Sequence, residues 1–271
     1  MTHSSTQKQL HFVKMHGLGN DFVVIDAINQ SFDITKFNIP HLANRHTGIG
    51  FDQLLIIEPS KNADFFCRIF NADGSEAEQC GNGLRCVARF IQEEKLHTDS
   101  SLTIETKAGI FPVHVKDFDH ITVTLGAPII EKQLVEIKLS QHPYTVNASI
   151  LSLGNPHTII KVEAIEPIIA NQLGPDISSS PLFPNGTNVG FMEVINQHHI
   201  RLRTYERGAG ETLACGSNAC AAICAGIINN WLQHKVEVQF RNGSLFIEWN
   251  GKEENPIFMT GPTARVYEGE I

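Results

Sequence analysis

Glu78-Gln79-Cys80-Gly81-Asn82-Gly83-Leu84-Arg85-Cys86 and Leu213-Ala214-Cys215-Gly216-Ser217-Asn218-Ala219-Cys220 are the stretches around which the chain is organised. Each sets a cysteine and a glycine directly before a run with helical spacing. The two cysteines differ by 135 in residue number, as do Gly19-Asn20 and Gly154-Asn155, Gln53 and Asn188, and Glu76 and Glu211. An offset shared by so many polar landmarks reads as one unit used twice. The predicted fold class is α+β, with two pseudo-symmetric lobes from an internal duplication, each a curled, mostly antiparallel sheet around a central helix. Residues 1–125 form the N-terminal lobe, with a polar tail at 1–9, and residues 126–261 the C-terminal lobe; Gly126-Ala127-Pro128 marks the hinge.

Composition narrows the function. At 271 residues the chain has room for two cores. A net charge of −8 leaves no basic stripe to follow a nucleic acid backbone, so no nucleic-acid partner is expected. The N-terminus has no apolar signal core and no later stretch is long enough to span a bilayer, so the expectation is a soluble, cytoplasmic protein with no membrane partner. Cysteines 67, 80, 86, 215, 220 and 224 are too few for a disulfide scaffold and are read as reduced. The thirteen histidines show no paired ligand spacing, so no metal is expected.

Along the chain, residues 10–15 and 22–27 read as strands around the tight loop His16–Asp21. Its glycines resemble part of a dinucleotide fingerprint, but no helix pattern follows, and a turn is the better reading. A short helix follows Pro40, then strands at 53–58 and 64–70 and a turn-forming loop from Asn71 to Glu76. From Gly81 to Lys95 the spacing predicts a helix, with Leu84, Val87, Ala88 and Ile91 inward and Arg85, Arg89 and Glu93 on a solvated face. Strands follow at 102–106, 110–115 and 121–125. The second half repeats the order, with a helix near Glu163 to Gln172, a loop from Gly174 to Pro181, and strands at 187–194 and 200–204. Its closing helix, Ser217 to about Leu232, is apolar nearly all round and belongs inside its lobe. The site is expected where the lobes meet.

A thiol acts as a base only as thiolate, and a free cysteine of pKa about 8.5 holds little of it at neutral pH. At a helix N-terminus the open amides and the macrodipole favour the anion by about 0.3–1 kcal/mol, occasionally about 2, which predicts thiols close to neutrality. Two such thiols from related halves suit the inversion of a carbon bearing hydrogen, which needs a base on one face and an acid on the other. The same helix starts offer amides at Gly81-Asn82 and Gly216-Ser217 to a carboxylate whose charge grows as a carbanion forms. Glu206 and Arg207 can meet an ammonium and a carboxylate, and Asn20, Gln53, Asn71, Asn155 and Asn188 are neutral amides suited to a zwitterion. The expected partner is a small-molecule amino acid.

These segments resemble the diaminopimelate epimerase family. The matching motifs are Lys-Met-His-Gly-Leu-Gly-Asn-Asp-Phe (14–22), Phe-Asn-Ala-Asp-Gly-Ser-Glu (70–76), Cys-Gly-Asn-Gly (80–83), Gly-Asn-Pro-His (154–157), Thr-Asn-Val-Gly-Phe (187–191), Glu-Arg-Gly-Ala-Gly-Glu-Thr (206–212) and Ala-Cys-Gly-Ser (214–217). The resemblance implies an epimerase that uses no pyridoxal phosphate or other cofactor and interconverts LL- and meso-diaminopimelate in lysine and peptidoglycan precursor synthesis. It implies Cys80 and Cys215 as the acid/base pair. It places Asn20, Gln53, Asn71, Gly81, Asn82, Asn155, Asn188, Glu206, Arg207, Gly216 and Ser217 about the substrate, and His157 with Glu206 as tuners of the thiols. It further implies a homodimer with Tyr267 at the contact, and a last strand, about 262–271, that returns to the first lobe. Two positions depart from the family: Asn218, where glycine is more usual and which is expected to tolerate a left-handed backbone, and Leu213, where a polar residue is common.

Two other readings compete. A proline racemase or hydroxyproline epimerase of the same fold would explain two thiols but gives Glu206 and Arg207 no second zwitterion to hold. A thiol redox or binding protein without turnover lacks the Cys-x-x-Cys motif.

Overall fold

A two-residue turn opens the fold. β1 (His11–Gly17) and β2 (Asn20–Asp26) are antiparallel with Gly17 opposite Asn20. The residues between them, Leu18 and Gly19, both have positive φ (57° and 92°), the geometry that matches the twist of a hairpin. Strand, not helix, follows the glycines, as expected. The computed structural model describes residues 9–142, 145–165 and 167–271; all but the last residue of the 1–9 tail, and Glu166, lie outside the described residues.

A 3-10 turn (Ile34–Lys36) and α1 (Ile39–Ala43) lead to β3 (Gln53–Glu58), β4 (Phe65–Asn71) and the short β5 (Glu76–Ala77). α2 (Gly81–Glu93) and the meander β6 (Ser101–Thr106), β7 (Gly109–Asp117), β8 (His120–Leu125) complete the first half. The second half runs β9 (Ile129–Lys138), β10 (Thr145–Ser152), β11 (Pro156–Val162), α3 (Pro167–Ser178), β12 (Asn188–Asn196), β13 (His199–Glu206), β14 (Gly210–Thr212), α4 (Gly216–Ile228), β15 (Lys235–Phe240), β16 (Gly243–Glu248), β17 (Ile257–Gly261) and β18 (Ala264–Glu270).

The pairing repeats. β1–β2 is antiparallel, β2–β3 parallel, β3–β4 antiparallel, β4–β6 parallel, and β6–β7–β8 antiparallel. β10–β11, β11–β12, β12–β13, β13–β15 and β15–β16–β17 follow the same sequence of directions. β5 and β14 sit at the same place on β4 and β13. β17 pairs with β8 and joins the halves, and β18 lies along β1 as β9 lies along β10.

The parallel pair β2 and β3 is apolar on both faces, as strands covered on both sides must be. Phe22, Val24, Leu55 and Ile57 join the core that holds α2, while Val23, Ile25, Leu54 and Ile56 pack beneath Ile39 and Ala43 of α1. In the second half Ala148, Ile150, Ile160, Val189 and Phe191 pack with Ala170 and Ile177 of α3. Leu84, Val87, Ala88 and Ile91 of α2 are buried as the spacing predicts, each larger side chain contributing about 1.5–3 kcal/mol. α4 is buried from Asn218 to Ile227, and its alanines, cysteines and glycine let the sheet close around it.

Three expectations are corrected. The third helix spans Pro167–Ser178, later than the 163–172 spacing suggests, and takes in part of the expected loop at 174–181, with Pro175 inside it. Arg85 is not on a solvated face: it is fully buried, and Arg89 is partly covered, bonded to Glu93 and the Thr263 carbonyl and stacked over Phe118. The covering Gly261 and Thr263 come from the far end of the chain, out of reach of local periodicity. Asn218 needs no left-handed backbone, because it is a residue of α4 whose amide donates to the Val189 carbonyl at 3.1 Å. No helix among the described residues is long and apolar enough to cross a membrane.

Candidate active site

Cys80 and Cys215 are the N-cap residues of α2 and α4, both with extended backbone (φ −150° and −128°). Residues that leave an extended stretch and enter a helix hold their side chains beside the open amides of the first turn. At Cys80 the sulfur accepts the Gly83 N–H at 3.4 Å. At Cys215 the sulfur lies 3.5 Å from the Ser217 hydroxyl.

The two helix starts converge on one side chain. A Cβ on Gly81 would lie 2.4 Å from Met259 Cε, and one on Gly216 2.7 Å from Met259 Sδ and 3.3 Å from Asn82 Oδ1. Glycine at both first positions therefore lets the buried Met259 of β17 fit against both starts.

Both cysteines line one cleft of about 1740 Å³ with Asn20, Gln53, Asn71, Gly81, Asn82, Asn155, Glu206, Arg207, Gly216 and Ser217. Two predicted residues stand behind its wall. Asn188 accepts the Arg207 N–H at 3.0 Å and donates to the Pro156 carbonyl at 3.2 Å, fixing the turn that presents Arg207. His157 is fully buried, and its Nε2–H donates to Asn155 Oδ1 at 2.9 Å. Tyr267 is elsewhere, half-exposed on β18 with its ring edge-on to Phe12. Among the described residues no three His, Cys, Asp or Glu side chains cluster to hold a metal ion.

The wall is braced by polar pairs. Gln53 donates to Asn71 Oδ1 at 2.9 Å, and Thr212 donates to Glu206. Sequence reasoning missed a network beneath Asn20: Asp52 accepts the Asn20 amide at 2.9 Å and the Asp21 N–H at 3.1 Å, and Arg45 binds Asp21 in a fork and Asp52 by one nitrogen. Lys14 closes the network against Asp21 and the Gly50 carbonyl. These cations hold the Asp21 carboxyl down at about 2 despite its burial. The network leaves little trace in the sequence: Lys14 and Asp21 fall in the 14–22 segment, and Asp52 adjoins Gln53.

The thiols differ from the expectation of near-neutral groups. Burial pushes Cys80 up to about 11, against the lowering effect of the Gly83 amide. Cys215 is raised as well, by burial and then by the negative Glu206 carboxylate, with the Ser217 hydroxyl opposing. Desolvation can move a buried group by several units, more than a helix terminus restores. Burial likewise raises Glu206, against hydrogen bonds from Thr212 and the Cys215 thiol, and pushes the His157 imidazole down to about 3, keeping it neutral. Leu213 is exposed on the cleft and meets the β1–β2 turn at Gly19.

A family model described as diaminopimelate epimerase matches residues 12–131 and 149–266. The chain is 45% identical to the diaminopimelate epimerase of Ectopseudomonas mendocina strain ymp and 44% identical to that of Pseudomonas aeruginosa strain LESB58, in each case over 97% of this chain and 99% of the relative. Among solved structures, the fold is similar to a hydroxyproline epimerase from Agrobacterium vitis (TM-score 0.74, 14% identity, 98% of this chain and 93% of that one). It is also similar to a phenazine biosynthesis protein of the PhzF family from Bacillus anthracis (TM-score 0.73, 20% identity, 98% and 99%). Full-length identity at this level, with two capping cysteines on one cleft, leaves one conclusion: the chain belongs to the diaminopimelate epimerase family.

Proposed function

We propose that this protein interconverts LL- and meso-2,6-diaminopimelate, the step that supplies lysine and peptidoglycan precursors, with Cys80 and Cys215 as its two acid/base groups. The observation that carries the reading is the pair of N-cap thiols lining one cleft, their helix starts packed on the same methionine. One sulfur, as thiolate, takes the α-proton from one face, and the other, as thiol, delivers its proton to the opposite face. The product leaves with inverted configuration and the two sulfurs have exchanged protonation states. No electron is gained or lost, and the return reaction uses the same groups in exchanged roles.

Charge on the α-carboxylate rises as the proton leaves, and the amides at Gly81-Asn82 and Gly216-Ser217 are the donors suited to receive it. The second amino-acid centre falls to Glu206 and Arg207, with Asn20, Gln53, Asn71, Asn155 and Asn188 completing the polar wall. A diamino diacid uses that second charged pair, which a proline ring would leave unmet. The repeated strand pairing supports two lobes, 1–125 and 126–261, with the cleft between them and β18 returned to the first. We further propose a cytoplasmic homodimer with Tyr267 at its contact.

The test is incubation with LL-diaminopimelate in deuterated water. The expected result is meso product with solvent deuterium at the inverted α-carbon. Absence of exchange by fully reduced protein, or equal exchange with proline, would overturn the reading.

A further inference from the structure

Arg85 is fully buried on α2, and none of its three guanidinium nitrogens has a hydrogen-bond partner among the described residues. Glycines make the room it occupies. A Cβ on Gly17 of β1 would lie 3.0 Å from Nη2, and one on Gly261 of β17 3.5 Å from both Cζ and Nε. Among the described residues no carboxylate forms an ion pair with it; the ionisable groups whose negative form would favour its charge are the thiols of Cys86 and Cys80 on its own helix and Cys220 on α4. A guanidinium does not lose its proton in proteins, so this charge is permanent, and a lone buried cation is costly unless an anion forms beside it.

Of the three thiols, Cys86 and Cys220 are sealed in the core, and only Cys80 lines the cleft where protons are exchanged. The duplication gives Arg85 no twin: its counterpart at the offset of 135 is Cys220. Charge around the two thiols is therefore lopsided. Cys80 faces Glu206 of β13, which raises it, Arg85 of α2, which lowers it, and Cys67 of β4, with His16 of β1 on the same cleft wall, whereas Cys215 faces Glu206 and the Ser217 hydroxyl and has, among the described residues, no cation to oppose the carboxylate.

We propose that Arg85 is the fixed counter-charge to the Cys80 thiolate, a positioning residue that makes Cys80 the sulfur to ionise first and leaves Cys215 the resting thiol. The proposal rests on the two-thiol reading above and assigns its starting protonation state. Arg85 acts through the sulfur and does not touch the substrate.

The test is site-resolved alkylation by iodoacetamide, followed by peptide mass spectrometry as a function of pH, on the reduced wild type and on Arg85→Met and Arg85→Lys. Loss of the charge in Arg85→Met is expected to shift the Cys80 profile upward by about one pH unit, a tenfold slower reaction at pH 8, and to change the Cys215 rate less. Arg85→Lys keeps the charge and is expected to stay within about threefold of the wild type. Thermal stability of Arg85→Met should equal or exceed that of the wild type, because an apolar side chain replaces an unpaired buried charge. An unchanged Cys80 profile in Arg85→Met, or an equal loss in Arg85→Lys, overturns the proposal. If Arg85→Met does not fold, Arg85→Gln carries the same readout. Alkylation needs no turnover, so a Cys80 profile that responds to Arg85 in a protein that exchanges no diaminopimelate hydrogen would remove the substrate reading and leave this one standing.

Discussion

Asp52 fixes the orientation of Asn20: its carboxylate takes the amide Nδ2–H at 2.9 Å, which turns the amide oxygen to the Cys80 thiol at 3.8 Å and to the Asn82 amide at 3.2 Å. Without Asp52 the Asn20 amide can rotate and present the wrong end to the sulfur. Asp52→Ala should lower kcat by about tenfold, the size of one charge-assisted hydrogen bond. The melting temperature should move little, because the Asp52 side chain is 44% exposed. Steady-state kinetics beside a thermal melt checks it, and an unchanged kcat would show that Asn20 is held by other means.

Replacing either Cys80 or Cys215 with alanine should abolish inversion, with losses of about 10²–10⁴-fold or more in turnover. Each direction needs one sulfur as base and the other as acid, so the two variants should fail alike in both directions. Formation of meso product from the LL isomer and of LL from meso, followed separately, gives the measurement. A variant that keeps one direction would contradict a shared proton path.

Gly81→Ala forces a methyl to within 2.4 Å of Met259 Cε. Overpacking of this kind costs about 1–3 kcal/mol, and here it also displaces the first amide of α2. Urea unfolding should show that loss, and Gly81→Ala combined with Met259→Ala should be less destabilised than the sum of the two single variants. Strict additivity would mean that the methionine does not set the approach of the helix.

The neutral, buried His157 predicts how stability responds to acid. Its imidazole is held at about 3 in the folded protein by burial, against about 6.5 in an unfolded chain. Between those values the unfolded chain binds a proton that the folded one refuses. Stability is therefore complete above about pH 6.5 and falls as pH drops, by up to about 1.4 kcal/mol per unit. From pH 6.5 to 5 the wild type should lose about 2 kcal/mol by this route, and His157→Gln should lose correspondingly less. The depressed carboxylates such as Asp21 act lower, below about pH 4, which keeps the two effects apart.

What could be read from sequence was what is local or repeated. The spacing of Leu84, Val87, Ala88 and Ile91 gives α2 and its inward face, and the offset of 135 pairs Cys80 with Cys215 and Asn20 with Asn155. Most of the predicted polar residues share one cleft because they sit at or beside strand ends and helix starts. What escaped is decided by distant chain. Arg85 and Arg89 have the spacing of a solvated stripe and are covered by Gly261 and Thr263 from the last part of the chain. The thiols were expected near neutrality because the helix terminus is local, whereas the desolvation that outweighs it comes from elements packed around them. The Asp21–Arg45–Asp52 network left almost no signal, since charged residues in loops are ordinary.

β18 lies along β1, with Tyr267 opposite Lys14 and Glu270 opposite His11. The first strand made thus waits for one of the last, and a ribosome adding about 5–20 residues each second leaves β1 with one bare edge for much of synthesis. An open edge is a template for wrong pairing, so the nascent protein is most exposed to aggregation while it is nearly complete. Folding speed should then depend on the docking of Ala264–Glu270 more than on either helix. Completion of the β1 edge therefore belongs to a chain that has been made through to β18.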